Sequence, residues 1–450
     1  MARLSPLWLP LLCVAIASLL WWKLPHPLLL PALGLALPAL LIALRSPMWM
    51  VLGFIVFSFF RLHEVFPFLY NLRIPQLLAM AAIAALLWHI LWTGQLTPWW
   101  SPQLTWLTLF FVHVTAGALL AANRGEAMAN WSGSYVKIYL MTLACAWLLR
   151  TPREFSRVVR VISLAAALVA VVALYNKSAG IGLVEGTRVT IGRELGSVLG
   201  DPNDLSLVLL FGAGFSLSLL LAGPAGKGWH GIGGLCFVLV SAAIIATQSR
   251  GGLLGLCAVS ALFAWHRVRS KALLITLGVV ALMVLFVLAG ISGRASGGAA
   301  ESGVDASAMG RLYAWEAAWG MALDHPFRGV GLSNFYYNYF FYSPHWDGLN
   351  HAVHSTWFGV LAETGFVGLS LFVVMLVSTL KGAWHARQAA QGADPSIQQA
   401  LEGVTASLCG FIISGSFLTQ GFTWPVYIEL SITVALLRYL QHHEKEQPHG

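Results

Sequence analysis

Long apolar runs recur from one end of the chain to the other, broken by short polar segments. They lie at residues 7–22, 28–44, 48–60, 77–92, 104–121, 136–149 and 158–175, before a polar stretch at 176–204. Four more cover 205–222, 232–246, 252–265 and 272–291. After a polar, aromatic-rich stretch at 292–350 come the last three, at 355–380, 404–418 and 427–440. At 1.5 Å of rise per residue, about 20 apolar residues cross a hydrocarbon layer roughly 30 Å thick. The pattern therefore predicts an all-α polytopic integral membrane protein of about 12–14 transmembrane helices, with a large outer loop containing short amphipathic helices. It divides into N-terminal helices over 1–175, a core over 176–380 that includes the outer loop 292–354, and C-terminal helices with a charged tail over 381–450. The first 22 residues resemble a signal peptide, but no small-residue cleavage site follows, so a retained first span is expected.

Composition agrees with that reading. Hydrophobic residues make up 58% of the chain and charged residues 10%, against roughly 25% charged in ordinary globular chains. The net charge of +8 is spread over short loops between apolar runs, which fits inner-leaflet orientation and anionic headgroups better than nucleic acid. Cys13, Cys145, Cys236, Cys257 and Cys409 all fall inside apolar segments without Cys or His at ligand spacing, so neither a disulfide framework nor a zinc site is indicated.

Orientation follows from where Lys and Arg crowd the span ends. Arg150, Arg153, Arg157 and Arg160 form one cluster, and Arg267, Arg269 and Lys271 a second. Lys381 with Arg387, and Arg438 with Lys445, make two more. If the spans alternate, all four share one side, which is read as the cytoplasm. The raw count is nearly even, about 14 basic residues inside against about 12 outside, but the outer ones lie in longer loops where the rule has little weight. Arg188, Arg193, Arg250, Arg311 and His354 then share the opposite, outer face. No inner loop is long enough for a cytosolic nucleotide-binding domain, and neither a P-loop nor a Rossmann fingerprint occurs.

Several polar positions on that face carry candidate chemistry. Arg188 and Arg193 precede Gly200-Asp201-Pro202-Asn203-Asp204. Guanidinium forks at a membrane edge suit phosphate oxygens; the plain alternative pairs them with Glu185 or Glu194. Gly200 and Pro202 shape a turn there, and Asp201 or Asn203 caps the next helix. Ser249-Arg250-Gly251-Gly252 is a tight junction between two apolar helices. Its glycines permit close approach or positive φ, and Arg250 either has a function or snorkels to headgroups.

Residues 309–324 read as an amphipathic helix with Leu312, Trp315, Trp319 and Leu323 on one face, stopped at His325-Pro326. Arg311 on its first turn is a phosphate contact or a solvated charge. The aromatic run Tyr336, Tyr337, Tyr339, Phe340, Phe341, Tyr342 and Trp346 is an interfacial belt or a stacking platform for sugars. His351, His354 and Ser355 stand at i, i+3 and i+4 and share a face if they are already helical. A neutral imidazole there can take a proton from a hydroxyl, an effect worth about 10²–10⁴ in rate; the alternative is a pair of interfacial histidines bonded to backbone. Glu363 lies about 13 Å down a regular helix and about 180° around from His354, so a structural hydrogen bond between elements is preferred for it.

With these residues in view, the chain resembles the O-antigen ligase and polymerase superfamily of bacterial membrane glycosyltransferases. The resemblance rests on the Arg/Gly segment leading to Asp201-Pro202-Asn203, on SRGGLLG at 249–255, and on GRLYAWEAAWGMALDHPFRGVGLSNF leading to HSTWFGVLAETGFVGL. It covers about residues 187–380. Family members often carry Asn directly after the loop histidine, where this chain has Ser355. The spacing to Glu363-Thr364-Gly365 favours His354 over His351, while Arg188 and Arg193 both stand near the family's first arginine.

The resemblance implies metal-independent transfer of a glycan from an undecaprenyl-diphosphate-type carrier to an acceptor hydroxyl on the periplasmic face of the inner membrane, without a cofactor. His354 would be the general base and Arg250 a catalytic group. Arg188, Arg193, Arg250 and Arg311 would meet the diphosphate, with His351, Ser355, Asn203 and Tyr337 secondary. The acceptor would be lipid, glycan or protein, the last making a protein O-oligosaccharyltransferase. A transporter or flippase of lipid-linked glycans is the reading from another class. The gathering of charge at one face, without an internal repeat, disfavours it.

Overall fold

A computed structural model of the protein describes residues 41–223, 226–288, 306–390 and 392–446, with a few positions between 14 and 22. Most of the predicted spans at 7–22 and 28–44 lies outside the described residues, as do Cys13, the end of the span at 272–291 and the start of the outer loop, 292–305.

The chain is a bundle of helices, and its starts follow a simple local rule. Four helices open with a capping side chain followed at once by proline: α3 (Pro102–Leu119) after Ser101, α5 (Pro152–Ala179) after Thr151, α6 (Pro202–Leu221) after Asp201, and α13 (Pro395–Ser414) after Asp394. Proline suits the first helical position because its missing N–H is one of those a helix leaves unpaired. The cap's oxygen takes another. At α5 the cap is reciprocal, since Glu154 accepts from the Thr151 N–H while Thr151 Oγ1 accepts from the Glu154 N–H.

Besides short turns such as Leu62–Val65 and Arg124–Asn130, further helices are α1 (Met48–Phe54, continued by a π-turn over Ile55–Phe59), α2 (Ile74–Leu87) and α4 (Val136–Leu148), then α7 (Lys227–Thr247), α8 (Arg250–Arg267) and α9 (Lys271–Leu288). They are followed by α10 (Ala306–Asp324), α11 (Phe335–Tyr342), α12 (Thr356–Ala389) and α14 (Trp424–Glu446). Among the described residues, six stretches are long and apolar enough to cross a membrane: Ile74–Trp92, Pro152–Ala179, Pro202–Leu221, Lys227–Thr247, Thr356–Ala389 and Pro395–Phe417. Three shorter apolar helices, at Met48–Phe59, Arg250–Trp265 and Lys271–Val280, add to them. The larger number expected from the sequence counts shorter or more polar helices, such as α3, α4 and α14, as crossings too, and includes the spans at 7–22 and 28–44, most of which lie outside the described residues.

Among the six, α6 is the most enclosed, with 83% of its apolar window buried. It packs against α5, α7, α8 and α13. Small residues allow this: a Cβ on Gly212 would sit 2.0 Å from that of Ala166 on α5, and one on Gly214 would meet Ser407 of α13. Water cannot drive helices together inside lipid, so such backbone approach and the dispersion contacts it permits carry the packing.

The helix α12 is broken at Gly365, whose φ of 68° and ψ of −172° are not helical. The break has a cause. The Phe366 N–H, which would bond Ala362, instead donates to the Pro326 carbonyl at 2.8 Å. The carbonyls thus released are taken by loop N–H groups, Val330 on Ala362 at 2.9 Å and Gly331 on Glu363 at 3.1 Å. His113 Nε2 lies 2.9 Å from the Thr364 carbonyl. A Cβ on Gly329 would lie 2.4 Å from backbone atoms of Ala362, Glu363 and Thr364, so the loop and the broken helix meet backbone to backbone.

Candidate functional site

Three helix N-termini meet at one end of the bundle. Asp201 caps α6, its Oδ1 accepting from the N–H groups of Asn203 and Asp204 at 2.7 and 3.3 Å. Ser249 caps α8 through the Gly252 N–H, and Ser355 caps α12 through the Phe358 N–H. The first turns of α6 and α8 touch, since a Cβ on Gly252 would stand 2.4 Å from Ser206 Oγ. The link between α13 and α14 ties α12 to both: Thr356 Oγ1 donates to the Leu418 carbonyl at 2.7 Å and accepts from the Gln420 N–H at 3.1 Å, while Gln420 Nε2 donates to Asp204 Oδ1 at 2.6 Å. Each N-terminus carries about half a positive charge, so their convergence makes an environment suited to anions.

The expected residues separate here. Arg188 is buried, its Nε donating to the Thr247 carbonyl at 3.2 Å and its other arm to Asn203 Oδ1 at 2.8 Å. It thereby joins the end of α7 to the first turn of α6, and Glu185 stands 3.9 Å from it. Arg193 is exposed on a short 3₁₀ turn, its backbone packed against Gly200. Arg250 is the half-buried first residue of α8. The sharp turn before it is made by Gln248, at φ 53°, and not by Gly251 or Gly252; the glycines serve close approach only, Gly251 against Phe417 and Gly252 against Ser206. Arg311 places its guanidinium 5.9 Å from the Phe417 ring centroid, which brings α10 to the same corner.

His351, His354 and Ser355 do not share a helical face. Residues 351–355 are irregular, Ser355 is the N-cap, and the helix opens at Thr356. His354 sits in the left-handed region at φ 48°, a costly conformation for a side chain with a Cβ. Burial, and next the charge of Arg311, hold its imidazole pKa below the ordinary value near 6.5; Asp201 opposes the shift and His351 adds to it. His354 is therefore neutral at pH 7 and within electrostatic reach of both α10 and the α6 cap. His351 is turned elsewhere, with Nε2 3.0 Å from both carboxylate oxygens of Asp347 and its ring edge-on to Tyr339. Tyr337 is exposed beside Glu126, whose charge raises the phenol pKa.

The amphipathic helix α10 is present, but with the opposite face inward. Ala314, Ala317, Ala318 and Met321 are buried, whereas Leu312, Trp319 and Leu323 are exposed. Small residues let α10 lie flat on α12, and the bulky ones are left for the surroundings, as an interfacial helix requires. Trp315 lies between, stacked on Phe358 at 5.1 Å and donating to the Val353 carbonyl, so it steadies the strand of chain that carries His354. Glu363 has the structural role expected of it. Its carboxylate accepts from the Ser333 and Phe335 N–H groups at 2.8 and 3.3 Å, capping α11.

Two contributors escape a reading by motif. One is the segment 415–423, whose Gln420 reaches α6; its only sequence signal is a polar break between the last two spans. The other is Arg61, ion-paired to Glu64, which in turn bonds Ser197 of the 176–204 segment. Arg61 lines a cavity of about 320 Å³ together with Asn130, Asp204, Glu363, Gln420 and Trp424. Among the described residues, no three of His, Cys, Asp and Glu gather closely enough to hold a metal ion.

Fold and site together define a polytopic helical membrane protein with basic side chains, capped helix starts and a neutral histidine at one end. The family model Wzy_C, O-antigen ligase, matches residues 235–373, so this segment is similar to the O-antigen ligase family. The matched stretch contains Arg250, Arg311, His354 and Glu363, and leaves Arg188 and Asn203 outside. No curated protein matches the chain.

Proposed function

We propose that the protein is a membrane glycosyltransferase that moves a glycan from an undecaprenyl-diphosphate-type lipid to an acceptor hydroxyl, as an O-antigen ligase or polysaccharide polymerase. The observation that carries this reading is the meeting of α6, α8 and α12 at their N-termini, with Arg250 opening α8, His354 just before the α12 cap, Arg188 bonded to the first turn of α6 and Arg311 beside them. A diphosphate is the natural occupant of such a corner. Arg188 is the better candidate than Arg193, because it bonds the first turn of α6 and the end of α7, which runs into α8, while Arg193 is exposed on its own turn.

The bond between the anomeric carbon and the diphosphate oxygen breaks as the acceptor oxygen attacks from the opposite side, with inversion. The electron pair leaves with the lipid diphosphate, where Arg188, Arg250 and the helix N-termini offset the developing charge. The acceptor proton passes to the neutral imidazole of His354. The site faces the periplasm, and the protein lies in the inner membrane.

Reconstitution in vesicles with a polyprenyl-diphosphate glycan tests this, with lipid A core, a second lipid-linked glycan and a protein offered as separate acceptors. Transfer to one of them, lost in H354A, is expected. A folded protein that transfers to none of the three, or one that moves lipid-linked glycan across the bilayer without cleaving it, would sink the proposal.

A further inference from the structure

At the other end of the bundle lies a second basic pocket that the transferase reading does not use. The helix α5 starts beside Arg150 and ends near Asn176, which donates to the Thr190 carbonyl next to the Arg188 segment. Its 28 residues span roughly 42 Å, the full depth of a bilayer with its headgroups. The pocket has a volume of about 210 Å³ and is lined by Arg150, Arg438 and His442, with Gln95, Thr97 and Tyr439.

Its charge is lopsided. Arg438 is buried and donates to the Trp147 and Leu149 carbonyls at 2.9 and 2.5 Å, closing the end of α4. Arg150 donates to the Gln95 carbonyl at 3.0 Å. A guanidinium has five N–H groups, so these bonds fix the two forks without exhausting them. The two arginines are close enough to repel. The nearby carboxylate, Glu154, is committed to the Arg150 and Thr151 backbone N–H groups in the α5 cap. Tryptophans mark the depth: Trp92 and Trp100 are exposed, Trp99 bonds Gln441, and Trp147 bonds the Trp99 carbonyl. Aromatic residues of this kind gather at the headgroup level.

We infer that this pocket binds the phosphate ester of an anionic membrane lipid, held between Arg150 and Arg438 with His442 at the rim. Basic pockets between helices at a membrane face are suited to such headgroups, and the paired forks match phosphate oxygens. The inference stands apart from the transferase reading, because no residue of the proposed diphosphate site takes part.

The test is native mass spectrometry and thermal melting of the full-length protein in phosphatidylcholine nanodiscs, with and without phosphatidylglycerol. Retained phosphatidylglycerol and a raised melting temperature are expected for the native protein, with phosphatidylcholine alone giving neither. Arg150→Gln should weaken retention about fivefold, the loss expected for one interfacial charge, and Arg150→Lys should restore part of it. Arg438→Gln removes two helix-end bonds and is expected to unfold more readily, so Arg150 carries the test. Equal phosphatidylglycerol retention by native protein and Arg150→Gln would overturn the inference. So would a melting shift reproduced by inorganic phosphate alone, which would mark a free-anion site.

Discussion

His354 is half-buried and within electrostatic reach of the Arg311 guanidinium, and both work against a charged imidazole. If it is the general base, His354→Ala should lower the transfer rate by about 10²–10⁴ while donor binding is retained, as read by single-turnover assays beside lipid-donor binding. The pH dependence follows from the direction of the shift. A depressed pKa keeps the base neutral to lower pH, so the acid limb of kcat/KM should be centred below pH 6.5. An acid limb centred at or above 6.5 would argue against His354. The two candidate arginines make a sharper pair. Arg188→Ala should cost at least about tenfold in kcat/KM, and Arg188→Lys should recover little, since Lys lacks the fork that spans Asn203 and Thr247. Arg193→Ala, at an exposed position, should stay within about twofold of native; the reverse order would exchange their roles.

At the scale of elements, the unit formed by the 326–335 loop and the broken α12 sets where the N-terminus of α12 stands. Gly329 has φ 65° and Gly365 φ 68°, and a Cβ at either would run into backbone at about 2.4–2.5 Å. Gly329→Ala should therefore destabilise the protein by more than about 2 kcal/mol, seen as a lower melting temperature in detergent. A melting temperature unchanged from native would show that the loop and the helix are not in this contact. Glu363→Ala removes the acceptor for two buried N–H groups, a loss of about 1–3 kcal/mol, whereas Glu363→Gln keeps one acceptor oxygen and should lose less. Because Glu363 is separated from His354 by most of the helix before the break, both variants should affect stability more than the pH profile.

For the molecule as a whole, the charge distribution assigns two ends. In the proposed orientation, the corner built from Arg188, Arg250, Arg311 and His354 lies on the periplasmic side, with Arg153 and Lys381 on the cytoplasmic side. Single cysteines introduced at 193 and 153 in a chain whose own cysteines are replaced should be labelled by a membrane-impermeant maleimide from opposite sides of the inner membrane. Labelling of both from one side would require a different threading of the spans.

Much of this was open to reading along the chain, because hydrophobic runs and helix caps are local properties. The apolar pattern determined an all-helical membrane protein, and Asp201 before Pro202 was legible as a helix cap; the structure adds Ser101, Thr151 and Asp394, each followed by proline, under the same local rule. The polar positions worth attention were also visible: Arg188, Arg250, Arg311, His354 and Glu363. Which of them meet was decided by contacts between distant segments. Arg188 parted from Arg193 only when Asn203 and the end of α7 closed around it. Gln420 joined through Asp204, 216 residues away. The inward face of α10 was settled by the need for small residues against α12, and the break at Gly365 by a loop whose N–H groups replace those the helix gives up. No periodicity within one segment encodes such partnerships, since each depends on the backbone of another.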